Sequence, residues 1–139
     1  MTPSPIVDAG PLVAAFNRRD LYHRWTAAQL KQHPGPLLTC DAVLSEAFHL
    51  LGRVPQGPAR LLAVLDSGAV QVALNLGAEW PGVSRLMRKY ADMPISLADA
   101  CLVRLSELYP DHPVLTFDGH FRILRGRRNA IVPVVMPDP

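Results

Sequence analysis

Cysteine, aromatic residues and charge are all scarce in this 139-residue chain. Each scarcity excludes something. The two cysteines, Cys40 and Cys101, lie far apart in sequence and make neither a disulfide framework nor a zinc-ligand pattern. They read as small buried apolar residues in a reducing compartment. Aromatics are 6% of the chain, too few for extended base stacking of the single-strand-binding type. Charged residues are 19%, and 14 Lys+Arg against 12 Asp+Glu leave a net charge of +2, too small to announce a nucleic-acid binder. Apolar runs such as Leu61 to Leu65 fall far short of the roughly 20 residues of a membrane span. Met1 to Asp8 has no basic segment, and Asp8 interrupts its apolar stretch. The expectation is a soluble, cytoplasmic protein with neither leader nor membrane segment.

Several catalytic signatures are also missing. There is no Gly-x-Ser-x-Gly elbow, no Gly-Lys-Ser/Thr phosphate loop, no Gly-x-Gly-x-x-Gly and no His-Glu-x-x-His. A haloacid-dehalogenase-type phosphatase needs a second aspartate two residues after the first, where Gly10 stands. A receiver domain needs an acidic pair ahead of its aspartate, and none is present. None of the five histidines makes a zinc pair. His120, two residues after Asp118, has the reach to touch a phosphate, but a surface or capping role is the plainer reading.

What is present is alternation. The length suits one domain, residues 1–139, with a loose tail at 136–139. Hydrophobic residues at 49% are enough for a core without staples. Pro5-Ile6-Val7, Leu37 to Thr39, Val70 to Val72, Val114 to Thr116 and Ile131 to Val135 read as short strands. Pro133 in the last marks an edge strand. Helical patterns fill the gaps: Pro11 to Phe16, His23 to Gln32, Asp41 to Arg53, Gly57 to Ser67, Ala78 to Ala91, Ser96 to Leu108 and the short Gly119 to Leu124. Strands separated by helices imply crossovers, hence an α/β fold with a mostly parallel sheet of about five strands covered on both faces. Sites in such sheets form beyond the carboxyl ends of the strands.

Acidic residues stand at those ends. Asp8 directly follows the first strand and Asp118 closely follows the fourth. Asp99 lies in the first turn of its helix, and Glu46 in the helix after the second strand. Asp8 and Asp118 each also fit an N-cap, and Ser96-Leu97-Ala98-Asp99 fits a capping box. Glu46 is too far into its helix to cap, and lies one turn from Val43 and Leu50. That spacing turns it toward the apolar side, where a lone carboxylate wants a cation. Two carboxylates about 5 Å apart repel by about 3 kcal/mol at an effective dielectric near 20, so gathering four calls for a counterion. An all-oxygen set selects Mg²⁺ or Mn²⁺. Mg²⁺ so held keeps waters, one of which can attack a phosphodiester.

Four stretches carry a family likeness, in order and along nearly the whole chain: Ile6-Val7-Asp8-Ala9-Gly10-Pro11-Leu12, Leu44-Ser45-Glu46-Ala47, Asp92-Met93-Pro94-Ile95-Ser96-Leu97-Ala98-Asp99-Ala100 and Leu115-Thr116-Phe117-Asp118. The chain resembles PIN-domain ribonucleases of the VapC-like toxin type. The resemblance implies a three-layer α/β/α sandwich. It implies a metal-binding, catalytic quartet of Asp8, Glu46, Asp99 and Asp118, with Thr116, Ser96 and Asp92 in support. It further implies RNA as substrate, Mg²⁺ (with Mn²⁺ as a substitute) as cofactor, a cognate antitoxin and a homodimer. An apolar groove near Arg53 to Leu65 would suit a helical antitoxin segment. The family often has a hydroxyl directly after the first aspartate, where this chain has Ala9. Asp92 equally fits a solvated turn residue ahead of Pro94. The alternatives are a non-catalytic PIN-like module binding RNA or protein, and a metal-dependent phosphatase on another α/β fold.

Arg122, Arg125, Arg127 and Arg128 follow Asp118, and Arg85, Arg88 and Lys89 share one helix. Such runs are usually solvated faces, but beside a metal site they can guide a phosphate backbone. Setting the four acids aside leaves 14 basic against 8 acidic residues, a net +6. The near-neutral sum then becomes an anionic pocket on a cationic body.

Overall fold

A computed structural model describes residues 3–138. Met1 and Thr2 of the N-terminal stretch, and Pro139 of the expected tail, lie outside the described residues. The strands are β1 (Ile6–Val7), β2 (Leu37–Thr39), β3 (Val70–Val72), β4 (Val114–Leu115) and β5 (Val134–Val135). They form one sheet in the order β3-β2-β1-β4-β5, with every pairing parallel. Ile6 pairs with Leu38 on one side and Val114 on the other, so β1 is central. Ile6, Val7, Val114 and Leu115 are all essentially inaccessible. Strands with both faces covered read as unbroken apolar runs rather than alternating ones, as these do.

Six helices connect the strands: α1 (Ala9–Phe16), α2 (His23–Gln32), α3 (Asp41–Leu51), α4 (Gly57–Asp66), α5 (Leu76–Lys89) and α6 (Leu97–Leu108). From β1 the chain steps outward through β2 to β3, then crosses back over the sheet to β4. Right-handed crossovers in opposite directions put α1–α4 and α5–α6 on opposite faces. The packing agrees, since α1 lies against α2, α3 and α4, while α5 lies along α6. This is the expected three-layer α/β/α fold. No helix among the described residues is long and apolar enough to cross a membrane.

Several boundaries differ from expectation for local reasons. Helix α1 starts at Ala9 rather than Pro11, because the Asp8 carboxylate accepts the Ala9 N–H and caps it two residues early. Helix α5 starts at Leu76 because the Asn75 side chain accepts from Ala78 N, and it tolerates Pro81 within. β5 is an edge strand, but only Val134–Val135 belong to it. Ile131 instead bridges Arg125 in antiparallel fashion, closing a turn whose Arg128 and Asn129 adopt left-handed φ values of 55° and 60°. Arg85, Arg104, Glu79 and Glu107 form an ion-pair network between α5 and α6.

Two expectations for α3 fail. Val43, Ala47 and Leu51 are fully buried, but Leu50 is 46% exposed. Glu46, expected toward the apolar side, is exposed. The buried stripe runs i, i+4, i+8, and positions 46 and 50 fall just outside it.

Candidate functional site

The strand order reverses between β1 and β4, and the crevice at such a reversal is where open α/β sheets place ligands. Two side chains close it. Thr116, fully buried just past β4, donates its hydroxyl to Asp8 Oδ2 at 2.7 Å. The Thr116 hydroxyl oxygen in turn accepts the Asp118 N–H at 3.0 Å. One hydroxyl thus joins the ends of neighbouring strands and fixes both aspartates. Asp8 Oδ1 accepts the Ala9 N–H at 2.7 Å.

Asp99 comes from the opposite layer. Ser96 caps α6, its Oγ accepting the Asp99 N–H while Asp99 Oδ2 accepts the Ser96 N–H, both at 3.0 Å. The capping box is therefore real, yet it orients the carboxylate rather than consuming it. Asp99 is only 7% exposed, and its Oδ1 has no hydrogen bond among the described residues. Asp118 likewise caps the 3₁₀ turn Gly119–Arg122 through Oδ1 and the His120 N–H at 2.9 Å. In these aspartates capping occupies one carboxylate oxygen and leaves the other available.

Asp8, Glu46, Asp99 and Asp118 line one cleft of about 570 Å³. Burial raises the Asp8 pKa from 3.8 to about 6. The Thr116 and Ala9 hydrogen bonds oppose this, and the nearby Asp99 and Glu46 charges add to it. Among the described residues, no lysine or arginine pairs with any of the four acids. Such a donor set, hard oxygen atoms with no protein counter-charge, suits a divalent cation. Asp92 is exposed in the α5–α6 turn and does not line the cleft.

Three cleft residues carried little or no weight in the sequence. Phe117 packs its ring 4.7 Å from Tyr22 and 5.9 Å from Trp25 between centroids. Gly10 makes room for it, since a Cβ there would sit 2.9 Å from Phe117 Cδ2. The third is His120, whose imidazole Nδ1 is buried, lies 3.3 Å from Asp118 Oδ1 and has no hydrogen-bond partner. The Phe117 and Gly10 signal was faint: an aromatic ahead of Asp118 and a glycine in a helix's first turn.

None of the four arginines after Asp118 lines the cleft. The Arg125 guanidinium turns back onto the carbonyls of Arg122, Ile123 and Leu124 at 2.9–3.3 Å. Arg122, Arg127 and Arg128 stay exposed.

The family is shown by the sequence as a whole. The PIN domain pattern covers residues 6–126. The chain belongs to the PIN-domain family. Within it the chain is VapC-like: it is 30% identical to ribonuclease VapC26 of Mycobacterium tuberculosis over 134 residues, 92% of this chain and 99% of that protein. The fold is similar to the crystal structure of M. tuberculosis VapC20, a sarcin–ricin loop-cleaving toxin, with a TM-score of 0.72 at 21% identity over 84% of this chain and 91% of that one. This membership sets aside a phosphatase on a different fold.

Proposed function

We propose that this protein is a Mg²⁺-dependent endoribonuclease and the toxin of a toxin–antitoxin pair. The observation that carries the reading is the cleft itself: four carboxylates from four separate segments line it, and among the described residues no lysine or arginine pairs with them. Asp8, Asp99, Asp118 and Glu46 would hold the ion, with Mn²⁺ able to replace Mg²⁺. A divalent ion held there would supply Lewis-acid stabilisation of the charge developing on the phosphodiester and activate the attacking water. The chain's own part is positioning. Thr116 locks Asp8 against Asp118, and the Ser96 box aims Asp99. Exposed Glu46 completes the rim and is free to turn toward the cleft. Phe117, with Tyr22 and Trp25 behind it, offers one flat wall for an unpaired base. The exposed Arg122, Arg127 and Arg128 would draw the RNA backbone by its charge.

The partners follow the same reading. The groove of about 690 Å³ where Phe16 and Leu50 face Val54 and Pro55 is rimmed by Arg18, Arg19, Arg53 and Arg60. It suits an amphipathic antitoxin helix with acidic flanks. We also infer a cytoplasmic homodimer, in keeping with cellular RNA as substrate.

The test is RNA cleavage in Mg²⁺ by wild type, Asp8→Asn and Asp99→Asn. Cleavage by wild type alone is expected. Equal rates for all three would end the assignment, and absence of cleavage with RNA binding intact would mark a non-catalytic module. Growth arrest on expression, relieved by an adjacent gene's product, would test the toxin role separately.

A further inference from the structure

The four acids are not the tightest cluster in the cleft. One ligand atom each from Asp99, Asp118 and His120 lie within 4.8 Å of one another. His120 Nδ1 is withdrawn from solvent yet makes no hydrogen bond. Its 3.3 Å approach to Asp118 Oδ1 is an ion-pair distance without hydrogen-bond geometry. A buried polar atom without a partner is costly, and native structures rarely keep one without a use.

The spacing points to that use. Two donors on one ion, each about 2.1 Å away and separated by 90–110°, lie roughly 3.0–3.4 Å apart. Nδ1 and Asp118 Oδ1 already stand at that distance. The turn Gly119–Arg122 sets it: Asp118 caps the turn, and the chain reversal carries the ring of residue 120 back over the carboxylate. Phe121, fully buried, anchors the turn to the core.

We propose that His120 ligates the metal through an imidazole nitrogen, together with Asp99 and Asp118, which makes the centre a mixed nitrogen–oxygen site. The proposal rests on the metal-dependent reading above but goes beyond it in donor set and selectivity. Mg²⁺ favours oxygen and holds its water, whereas Mn²⁺ and later first-row ions accept imidazole. The nitrogen donor therefore raises affinity for Mn²⁺ and leaves Mg²⁺ affinity nearly unchanged. Glu46 and Asp8, which line the same cleft, would complete the donor set.

The test uses metal binding alone. Wild type, His120→Ala and His120→Gln are titrated with MnCl₂ by calorimetry, with MgCl₂ as competitor. Pulsed electron paramagnetic resonance of the Mn²⁺ complexes reads ¹⁴N coupling. Expected are a nitrogen modulation in wild type that both variants lose, a Mn²⁺ Kd raised about tenfold or more in the variants, and a Mg²⁺ Kd changed less than threefold. Unfolding midpoints in EDTA should match wild type, since the ring is partly exposed. Tight Mn²⁺ binding without nitrogen coupling, or with equal affinity in the variants, would overturn the histidine ligand and leave an all-oxygen centre standing. No Mn²⁺ binding by wild type at millimolar concentration, or binding unaffected by Asp99→Asn, would overturn the metal centre as a whole.

Discussion

Asp8 is ionised at neutral pH only against a standing cost, and that cost is measurable. Its folded pKa of about 6 lies above the ordinary 3.8 because burial penalises the charge. At about 1.4 kcal/mol per pH unit, the difference amounts to about 3 kcal/mol. The folded state binds this proton more tightly than the unfolded state does. The stabilising contribution is therefore full below about pH 4 and is lost as pH rises through 6. Asp8→Asn removes the titration. The amide oxygen can keep the Ala9 N–H, but its NH₂ would face Thr116 Oγ, which already accepts from Asp118 N. That mismatch costs about 1 kcal/mol. In EDTA at pH 8 the variant should be more stable than wild type by about 2 kcal/mol, roughly 5–10 °C in Tm. At pH 4 the advantage should vanish. Urea unfolding at pH 4, 6 and 8 reads the difference, in which the other titrations cancel. Added Mn²⁺ at pH 8 should reverse the order, because only wild type binds it tightly and gains by mass action. A variant no more stable at pH 8, or a difference independent of pH, would refute the reasoning.

Further expectations concern the supports. Thr116→Val, nearly isosteric, leaves Asp8 Oδ2 and the Asp118 N–H without their partner; it should cost about 2–3 kcal/mol at pH 8 and move the Asp8 titration above 6. Unfolding against pH measures both. Arg125→Ala removes the bonds to three carbonyls and should lower stability by about 1–2 kcal/mol. Exposed Arg127→Ala should change stability by less than about 0.5 kcal/mol, but reduce the salt slope of RNA binding by about 1. Parallel denaturation and salt titrations would separate the two arginines. Gly10→Val drives a side chain into the Phe117 ring and should displace it from Tyr22, lowering cleavage more than stability; activity and near-ultraviolet dichroism report on each.

The acids were legible because strand ends announce themselves. Ile6-Val7 followed by Asp8, and Leu115-Thr116 followed two residues on by Asp118, place carboxylates on the sheet edge whatever the long-range packing. The capping box fixed Asp99 in the same local way. Glu46 was misplaced because one turn of a helix separates a buried position from an exposed one, and α3 had to settle on its neighbours before that was decided. The Gly10–Phe117 contact and the orientation of His120 depend on how β1 and β4 lie side by side, which no local pattern encodes. Cys40 and Cys101, read as small buried apolar residues, are both buried and free, and the neighbouring Cys101 thiol together with burial pushes the Cys40 thiol up. The Arg125 fold-back had no sequence signal, since an arginine in a basic run looks alike whether it caps carbonyls or faces solvent.

The hydroxyl shared between Asp8 and Asp118 has a consequence for synthesis. Asp8 is made early, but Thr116 follows it by more than a hundred positions, and β4 must slot in beside β1 before the two meet. A growing or prematurely released chain that stops short of β4 holds Asp8 without its clamp and lacks Asp118 altogether. On the nuclease reading proposed above, the RNA-cleaving centre would be assembled only when the last internal strand joins the sheet's centre. Released chains truncated before residue 114 should show no nuclease activity, whereas the released full-length chain should.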